Sequence, residues 1–69
     1  MGFSKDYVGG ALVIRGRKVE IHNSRGGGYT ELSVNEDVQS ASWSGDDIIV
    51  VVKRGKAYRY TSNASYQYA

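Results

Sequence analysis

Residues 48–52 read IIVVV, the most hydrophobic stretch of the chain, and this stretch decides the fold. Five β-branched residues in a row favour a strand, and turn signals containing glycine lie on both sides of it. A strand that is covered on one face alternates apolar and polar residues, whereas this stretch is apolar on both faces. We therefore expect its second face to be covered by barrel curvature, by the C-terminal tail or by another subunit.

Further runs of β-branched and aromatic residues, separated by Gly, Asn, Asp and Ser, lie on either side of this stretch. They predict strands at residues 11–15, 18–22, 29–34, 38–43 and 56–61, in addition to 48–52. Val19 and Ile21 alternate with polar neighbours, so the strand 18–22 should bury one face. The tail 62–69 could add a short strand or one helical turn, and nothing in the sequence predicts a long helix.

The predicted fold is all-β, with five to six short antiparallel strands in a small barrel or a twisted sheet, built from SH3-like or blade-like hairpins. Sixty-nine residues allow one domain, residues 1–69, and a chain of this size buries only about 60% of its unfolded surface. The hairpins at 12–18 and 50–56 share an apolar run, a basic residue and a turn of Gly and Arg, as blade-like repeats do. Because no cysteine is available for disulfides, assembly into a homo-oligomer is an expected source of stability.

The composition also bounds the location and the partners. No apolar run approaches the roughly 20 residues of a membrane span, and residues 1–6 lack the pattern of a signal peptide. We expect a soluble, cytoplasmic protein with no membrane partner. The formal charge of +2 permits a phosphate-bearing partner, although dedicated nucleic-acid proteins usually carry more.

The inventory of reactive side chains argues against catalysis. One histidine and no cysteine exclude a thiol nucleophile and leave any histidine metal site dependent on carboxylates. His22 falls on the polar face of its strand, where we expect a solvated side chain. The acidic pairs Glu36-Asp37 and Asp46-Asp47 fall in turns, where such residues are usual, and neither has calcium-loop spacing. We therefore predict a non-enzymatic protein with no cofactor and no metal site.

Phosphate binding is the site chemistry that the sequence favours most. In the segment 25–29 (RGGGY), glycine amides can approach a phosphate and the arginine can contact it through two donors; a mobile hairpin loop is the alternative interpretation. Other basic residues cluster at two hairpin turns, which would form one positive edge if the turns lie side by side. Alternatively, these charges only keep the sheet edges soluble. The candidate ligand-binding residues are Arg15, Arg17, Lys18, Arg25, Gly27, Lys53, Arg54, Lys56 and Arg59.

Six tyrosines and one tryptophan supply most of the aromatic residues. Tyr58 and Tyr60 alternate with Arg59 and should therefore face the core. Trp43 is interpreted as a core anchor, with a stacking platform as the alternative.

The C-terminal part of the chain carries a hairpin motif. Its elements are 40–43 (SASW) as an entry strand, 49–52 (IVVV) as an apolar strand, Gly55 in the turn and 58–60 (YRY) as a return strand. In these residues the chain resembles the KTSC domain, a short domain of bacterial and phage proteins. The resemblance covers residues 38–69 and assigns no functional residue. That family continues into a helix and a tail with Ser, Gly, aromatic and Asn residues, which this sequence lacks, and its pattern requires no N-terminal hairpin.

Two functional hypotheses follow. We predict a non-enzymatic module that binds a phosphate-bearing ligand, nucleic acid or nucleotide, through the basic hairpin turns and the glycine-rich loop. The alternative is a protein-interaction module, such as a small inhibitor or accessory protein of a phage or mobile element, acting through a homo-oligomeric or partner-facing β surface. The two-faced stretch 48–52 favours the alternative, because such a strand needs a covering surface.

Overall fold

Seven antiparallel strands form two sheets in the computed structural model, which describes residues 3–62 and the backbone of residues 66–68. The first sheet, here the N-sheet, contains β1 (Leu12–Arg15), β2 (Lys18–His22) and β3 (Tyr29–Ser33) in that order. The second, the C-sheet, contains β4 (Val38–Ser44), β5 (Asp47–Val52), β6 (Ala57–Tyr60) and β7 (Tyr66–Tyr68). Each sheet is a meander, because every strand pairs with its neighbour in the chain.

The predicted all-β class is confirmed. Strands β1 to β6 correspond to the six predicted strands, and β7 is the short strand that was one of two predictions for the tail. The other tail residues, 63–65 and 69, lie outside the described residues. Of the two predicted architectures the twisted sheet fits, since the two sheets are not closed into a barrel within the described residues. That part of the chain contains no helix long and apolar enough to cross a membrane.

Strand β5 contains the apolar stretch 48–52, whose residues alternate between the two faces of the sheet. Ile48, Val50 and Val52 are fully buried, whereas Ile49 and Val51 point to the opposite face and are partly exposed. The other members of the core come from the N-terminal segment, from β2, β3, β4 and β6, and from the turn after β3. They are Phe3, Val19, Ile21, Leu32, Val34, Val38, Tyr58 and Tyr60. The predicted placement of the two tyrosines in the core is therefore confirmed.

The N-sheet and the C-sheet meet along β1 and β4. At one end, the amide of Val38 donates to the carbonyl of Gly16 over 2.9 Å. At the other end, the indole nitrogen of Trp43 donates to the carbonyl of Gly10 over 2.8 Å. A β-bulge between Val38 and Ser40 lies where β4 passes the first contact, and a bulge increases the local twist of a strand. The two sheets therefore continue into one another around a shared core.

The N-terminal segment 3–10, for which the sequence predicts no strand, also contributes to the core. Phe3 is buried, and its ring meets that of Trp43 edge to face, with the centroids 5.7 Å apart. Trp43 packs against the core, as its interpretation as an anchor predicts. The segment then passes so close to β2 that a Cβ at Gly10 would overlap the carbonyl oxygen of His22, and only glycine fits there.

We expect the substitution Phe3→Ala to lower the free energy of unfolding by about 3 kcal/mol, because it leaves a cavity beside Trp43 and removes an aromatic pair. Urea denaturation followed by the fluorescence of the single tryptophan measures this change. Phe3→Leu, which keeps most of the volume, should cost less than about 1.5 kcal/mol. Lys5→Ala, in the same segment but exposed, should stay within about 0.5 kcal/mol of the parent chain. Equal effects of Phe3→Ala and Lys5→Ala would contradict a core role for the segment.

Candidate phosphate-binding cleft

Two basic hairpin turns form the walls of one cleft. The β1–β2 turn lies on one side, the β5–β6 turn on the other, and the β3–β4 turn (residues 34–37) lies between them. The two basic turns therefore lie close together, which is the arrangement under which they would form one positive edge. The cleft is open, has a volume of about 250 Å³, and is lined by Arg17, Asn35, Glu36, Asp37, Lys53 and Arg54.

Backbone hydrogen bonds hold these turns together. The amide of Val34 donates to the carbonyl of Arg17 over 2.8 Å, and the amide of Lys53 donates to the carbonyl of Asp37 over 2.9 Å. The 34–37 turn is thereby bonded to both basic turns. Because these bonds involve no side chain, substitution of a side chain in the cleft should leave its walls in place.

Glu36 is the most strongly bonded acidic group of the cleft. Its carboxylate accepts from the guanidinium of Arg54 at two points, 2.8 and 2.9 Å away, and from the hydroxyl of Tyr58 over 2.9 Å. The Tyr58 hydrogen bond, assisted by Arg54, holds the pKa of Glu36 below its usual value of 4.5. The hydrogen bond between Arg54 and the Glu36 carboxylate raises the pKa of Arg54. Glu36 therefore stays ionised and neutralises Arg54.

Arg17 and Lys53 are held less strongly by neighbouring acidic side chains. The nearest nitrogen of Arg17 lies 3.6 Å from Asp37, with 71% of the arginine side chain and 59% of the aspartate side chain exposed. An exposed pair of this kind contributes about 0–1 kcal/mol. The ammonium group of Lys53 has no ion-pair partner among the described residues. These two cations, one from each turn, are the groups best placed to receive an anion.

Two other candidates belong to the outer face of the N-sheet, the face turned away from the core. Arg15 lies 3.4 Å from Glu20, and Lys18 lies 3.7 Å from Glu31. Neither lines the cleft. They accompany the β1–β2 turn in sequence, but the alternation of the strands directs them to a different surface.

The last two candidates from the C-terminal half also lie outside the cleft. Arg59 is on the outer face of the C-sheet, where it bonds to Asp47 over 2.7 Å and to Ser44 over 3.1 Å. Lys56 is exposed directly after the β5–β6 turn and helps to lower the pKa of Glu36. Lys56 thus contributes charge near the cleft without lining it.

Arg25 and Gly27 lie in the loop between β2 and β3, at the end of the N-sheet opposite the β1–β2 turn. Five strand residues separate the two ends, a distance of about 16 Å at about 3.3 Å per residue. The structure therefore separates Arg25 and Gly27 from the cleft. Within the loop, the side-chain oxygen of Asn23 accepts from the amides of Arg25 and Gly26.

Sequence reasoning missed the acidic lining of the cleft. It assigned Glu36 and Asp37 a turn-forming role, whereas both pair with arginines 18 and 20 positions away. The sequence feature that could have indicated this acidic lining is the presence of one acidic turn and two basic turns in a small domain. The described residues contain no group of three or more His, Asp or Glu side chains that could hold a metal ion.

Comparison of the chain with protein-family models, with curated proteins and with solved structures finds no match. The resemblance to the KTSC domain therefore stays a prediction. The candidate site is supported by the geometry of its residues.

We expect Tyr58→Phe to raise the pKa of Glu36 towards 4.5, because the largest stabilising contact of the carboxylate is lost. Since the pKa is depressed in the folded state, the stabilisation by Glu36 is complete above its unfolded pKa and is lost as the pH falls through the folded value. The acid loss of stability should therefore become smaller in Tyr58→Phe. Titration of the Glu36 carboxyl carbon by NMR measures the shift.

Tyr60→Phe is the matched control for this titration, since it removes a hydroxyl from the same face of β6. The contacts that shift the pKa of Glu36 do not include Tyr60. An equal shift in both variants would show that the Tyr58 hydrogen bond is not the cause.

Proposed function

We propose that this chain is a non-enzymatic module that binds a phosphate-bearing ligand, a nucleic acid or a nucleotide, in the cleft between its two basic turns. One observation carries the proposal: Arg17 and Lys53 come from different hairpins and line the same concave surface, with only one weak ion pair between them and the acidic turn. A concave site with convergent polar groups is the usual setting for a ligand.

The charges of the cleft support an anionic ligand in spite of its two carboxylates. Three cations line the cleft with Glu36 and Asp37, which leaves a net charge of +1. Glu36 is already neutralised by Arg54 and bonded to Tyr58, so it offers little repulsion to a ligand. A phosphate can displace Asp37 from Arg17 because the exposed pair is weak, whereas an arginine–phosphate contact has two charged hydrogen bonds.

The double variant Arg17→Ala/Lys53→Ala should weaken binding to a fluorescein-labelled single-stranded oligonucleotide, measured by anisotropy over a series of salt concentrations. Loss of two phosphate contacts should reduce the slope of log K against log salt by about 1.4. The matched control is Arg15→Ala/Lys18→Ala, which removes the same charge from the β1–β2 hairpin, outside the cleft. Competition with ATP distinguishes a nucleotide site from a strand site. Equal losses in the two double variants would contradict the cleft as the seat of binding.

Asp37→Asn tests the same contact in the opposite direction. It frees Arg17 from its ion pair while leaving the backbone bond to Lys53 in place, so affinity should rise, by about fivefold at most. A fall in affinity in this variant would contradict competition between Asp37 and the ligand for Arg17.

A protein-interaction role is the second candidate, and the outer face of the C-sheet favours it. Ile49 and Val51 are partly exposed there beside Ala57 and the short side chains of Ser40 and Ser42. Arg59, the cation of this face, is neutralised by Asp47. A sheet face of small and aliphatic side chains with no net charge suits sheet-to-sheet packing against a second copy of the chain.

Under this second proposal the chain should self-associate with rising concentration, and Ile49→Thr should abolish association, because threonine keeps strand propensity but removes apolar area. Sedimentation velocity at several concentrations measures this. Ile14→Thr, at an exposed isoleucine of the N-sheet, should leave association unchanged. A parent chain that is monomeric at every concentration excludes the self-association form of the candidate.

A further inference from the structure

Tyr29 presents an aromatic ring to solvent at the end of the N-sheet remote from the cleft. It is 52% exposed, the higher of the two exposed large hydrophobic residues in the described part of the chain. Its ring stacks on that of His22, with the centroids 5.3 Å apart and the planes 30° from parallel. One face of the tyrosine ring is therefore covered by His22, and the residue's exposure leaves ring surface open to a further ring.

The histidine ring of this aromatic pair contacts the carboxylate of Glu20. The Nε2 atom of His22 lies 3.3 Å from the carboxylate of Glu20, and the second oxygen of Glu20 lies 3.4 Å from Arg15. The Glu20 side chain is only 13% exposed. His22, held by Glu20, gives the Tyr29 ring a supporting surface, and a ring that is already stacked loses less entropy when it packs on a ligand.

The loop before Tyr29 is also fixed, at both of its ends. The amide of Asn23 donates to the carbonyl of Gly28 over 3.0 Å, and the amide of Ser24 donates to the carbonyl of Asp6 over 2.8 Å. The hydroxyl of Ser24 donates to the same carbonyl over 2.9 Å. Gly28 adopts a φ of 92°, which L side chains rarely adopt, so this glycine is required by the backbone.

Gly26 and Gly27 have no such requirement within the chain. Neither has a positive φ, and a Cβ added to either would meet no atom within 4 Å. Glycine at such positions costs conformational entropy on folding, and no packing contact offsets this cost. The other use of glycine is to let a ligand approach the backbone closely, and this use fits an exposed loop beside an aromatic ring.

Arg25 adds a cation to the same loop. Its backbone amide is bonded to Asn23, but its guanidinium has no partner among residues 3–62. In the same part of the chain the amides of Gly27 and Gly28 donate to no partner either. The loop therefore offers a free two-donor cation and two free amides next to a stacking surface.

We propose that Tyr29, Arg25 and the backbone of Gly27 and Gly28 form a second binding site, for a nucleobase that carries a phosphate. The base stacks on the open face of Tyr29, while the phosphate accepts hydrogen bonds from Arg25 and the glycine amides. This site is separate from the cleft of Arg17 and Lys53, so either site can fail while the other stands.

The test uses the ¹⁵N-labelled full chain titrated with adenosine monophosphate, with adenosine and with inorganic phosphate. Adenosine monophosphate should shift the amide signals of residues 25–29 and bind more tightly than either of its parts. A short single-stranded oligonucleotide distinguishes a free nucleotide from a strand as the source of the same chemistry. Binding of phosphate alone as tight as that of adenosine monophosphate would overturn the stacking role of Tyr29.

Three variants separate the parts of the site. Tyr29→Ser should weaken the binding of adenosine monophosphate by at least about fivefold, whereas Tyr29→Phe should bind it as the parent chain does. Arg25→Gln should remove the advantage of adenosine monophosphate over adenosine. Gly27→Ala should weaken binding without lowering the midpoint of thermal unfolding, because the added methyl group meets nothing in the chain itself.

Two further outcomes overturn the proposal. One is adenosine monophosphate binding that is unchanged in both Tyr29→Ser and Gly27→Ala. The other is binding that is lost in Arg17→Ala/Lys53→Ala but kept in Tyr29→Ser, which would assign the nucleotide to the cleft and leave the proposed function standing. Loss in Tyr29→Ser with full binding in the cleft variant is the result expected.

Discussion

The turn at residues 34–37 is the constraint on which the arrangement of the two sheets depends. It connects the N-sheet to the C-sheet in the chain, and its backbone and that of Val38 bond to the β1–β2 turn on one side and to Lys53 on the other. These bonds require neither charge nor a particular side chain. They bring two hairpins from opposite halves of the chain to one place, and the cation pair of the cleft is a consequence of that placement.

The charges around this turn have two different roles. Arg54, Glu36 and Tyr58 form a compact set with short contacts, which fixes the side chains of the turn against β6. Arg17 and Asp37 are farther apart and more exposed, so their pair is easily exchanged for another partner. A binding surface needs both kinds of contact, since the first keeps the site in shape and the second leaves it free to bind.

Much of the fold could be predicted from the sequence because its strands follow simple patterns. The strand Lys18–His22 has the predicted bounds, since alternation and flanking turn residues agree there. Phe3 was missed because a short irregular segment has no periodicity, and its burial is decided by a tryptophan 40 positions away. The likeness of the two hairpins did not predict that the basic turns lie together, and the acidic residues between these turns and the remote position of Arg25 also depend on tertiary contacts and strand length.

The meander has a consequence for the order in which the molecule opens. Every described strand pair joins neighbours in the chain, so each sheet can form with short loop closures. The N-terminal segment is different, because it is attached by Phe3 at Trp43, by Asp6 at Ser24 and by Gly10 at Trp43. Its release breaks none of the described strand pairs. Amide hydrogens of residues 7–10 should thus exchange with solvent through a local opening, well before those of β5, whose exchange requires the core itself to separate.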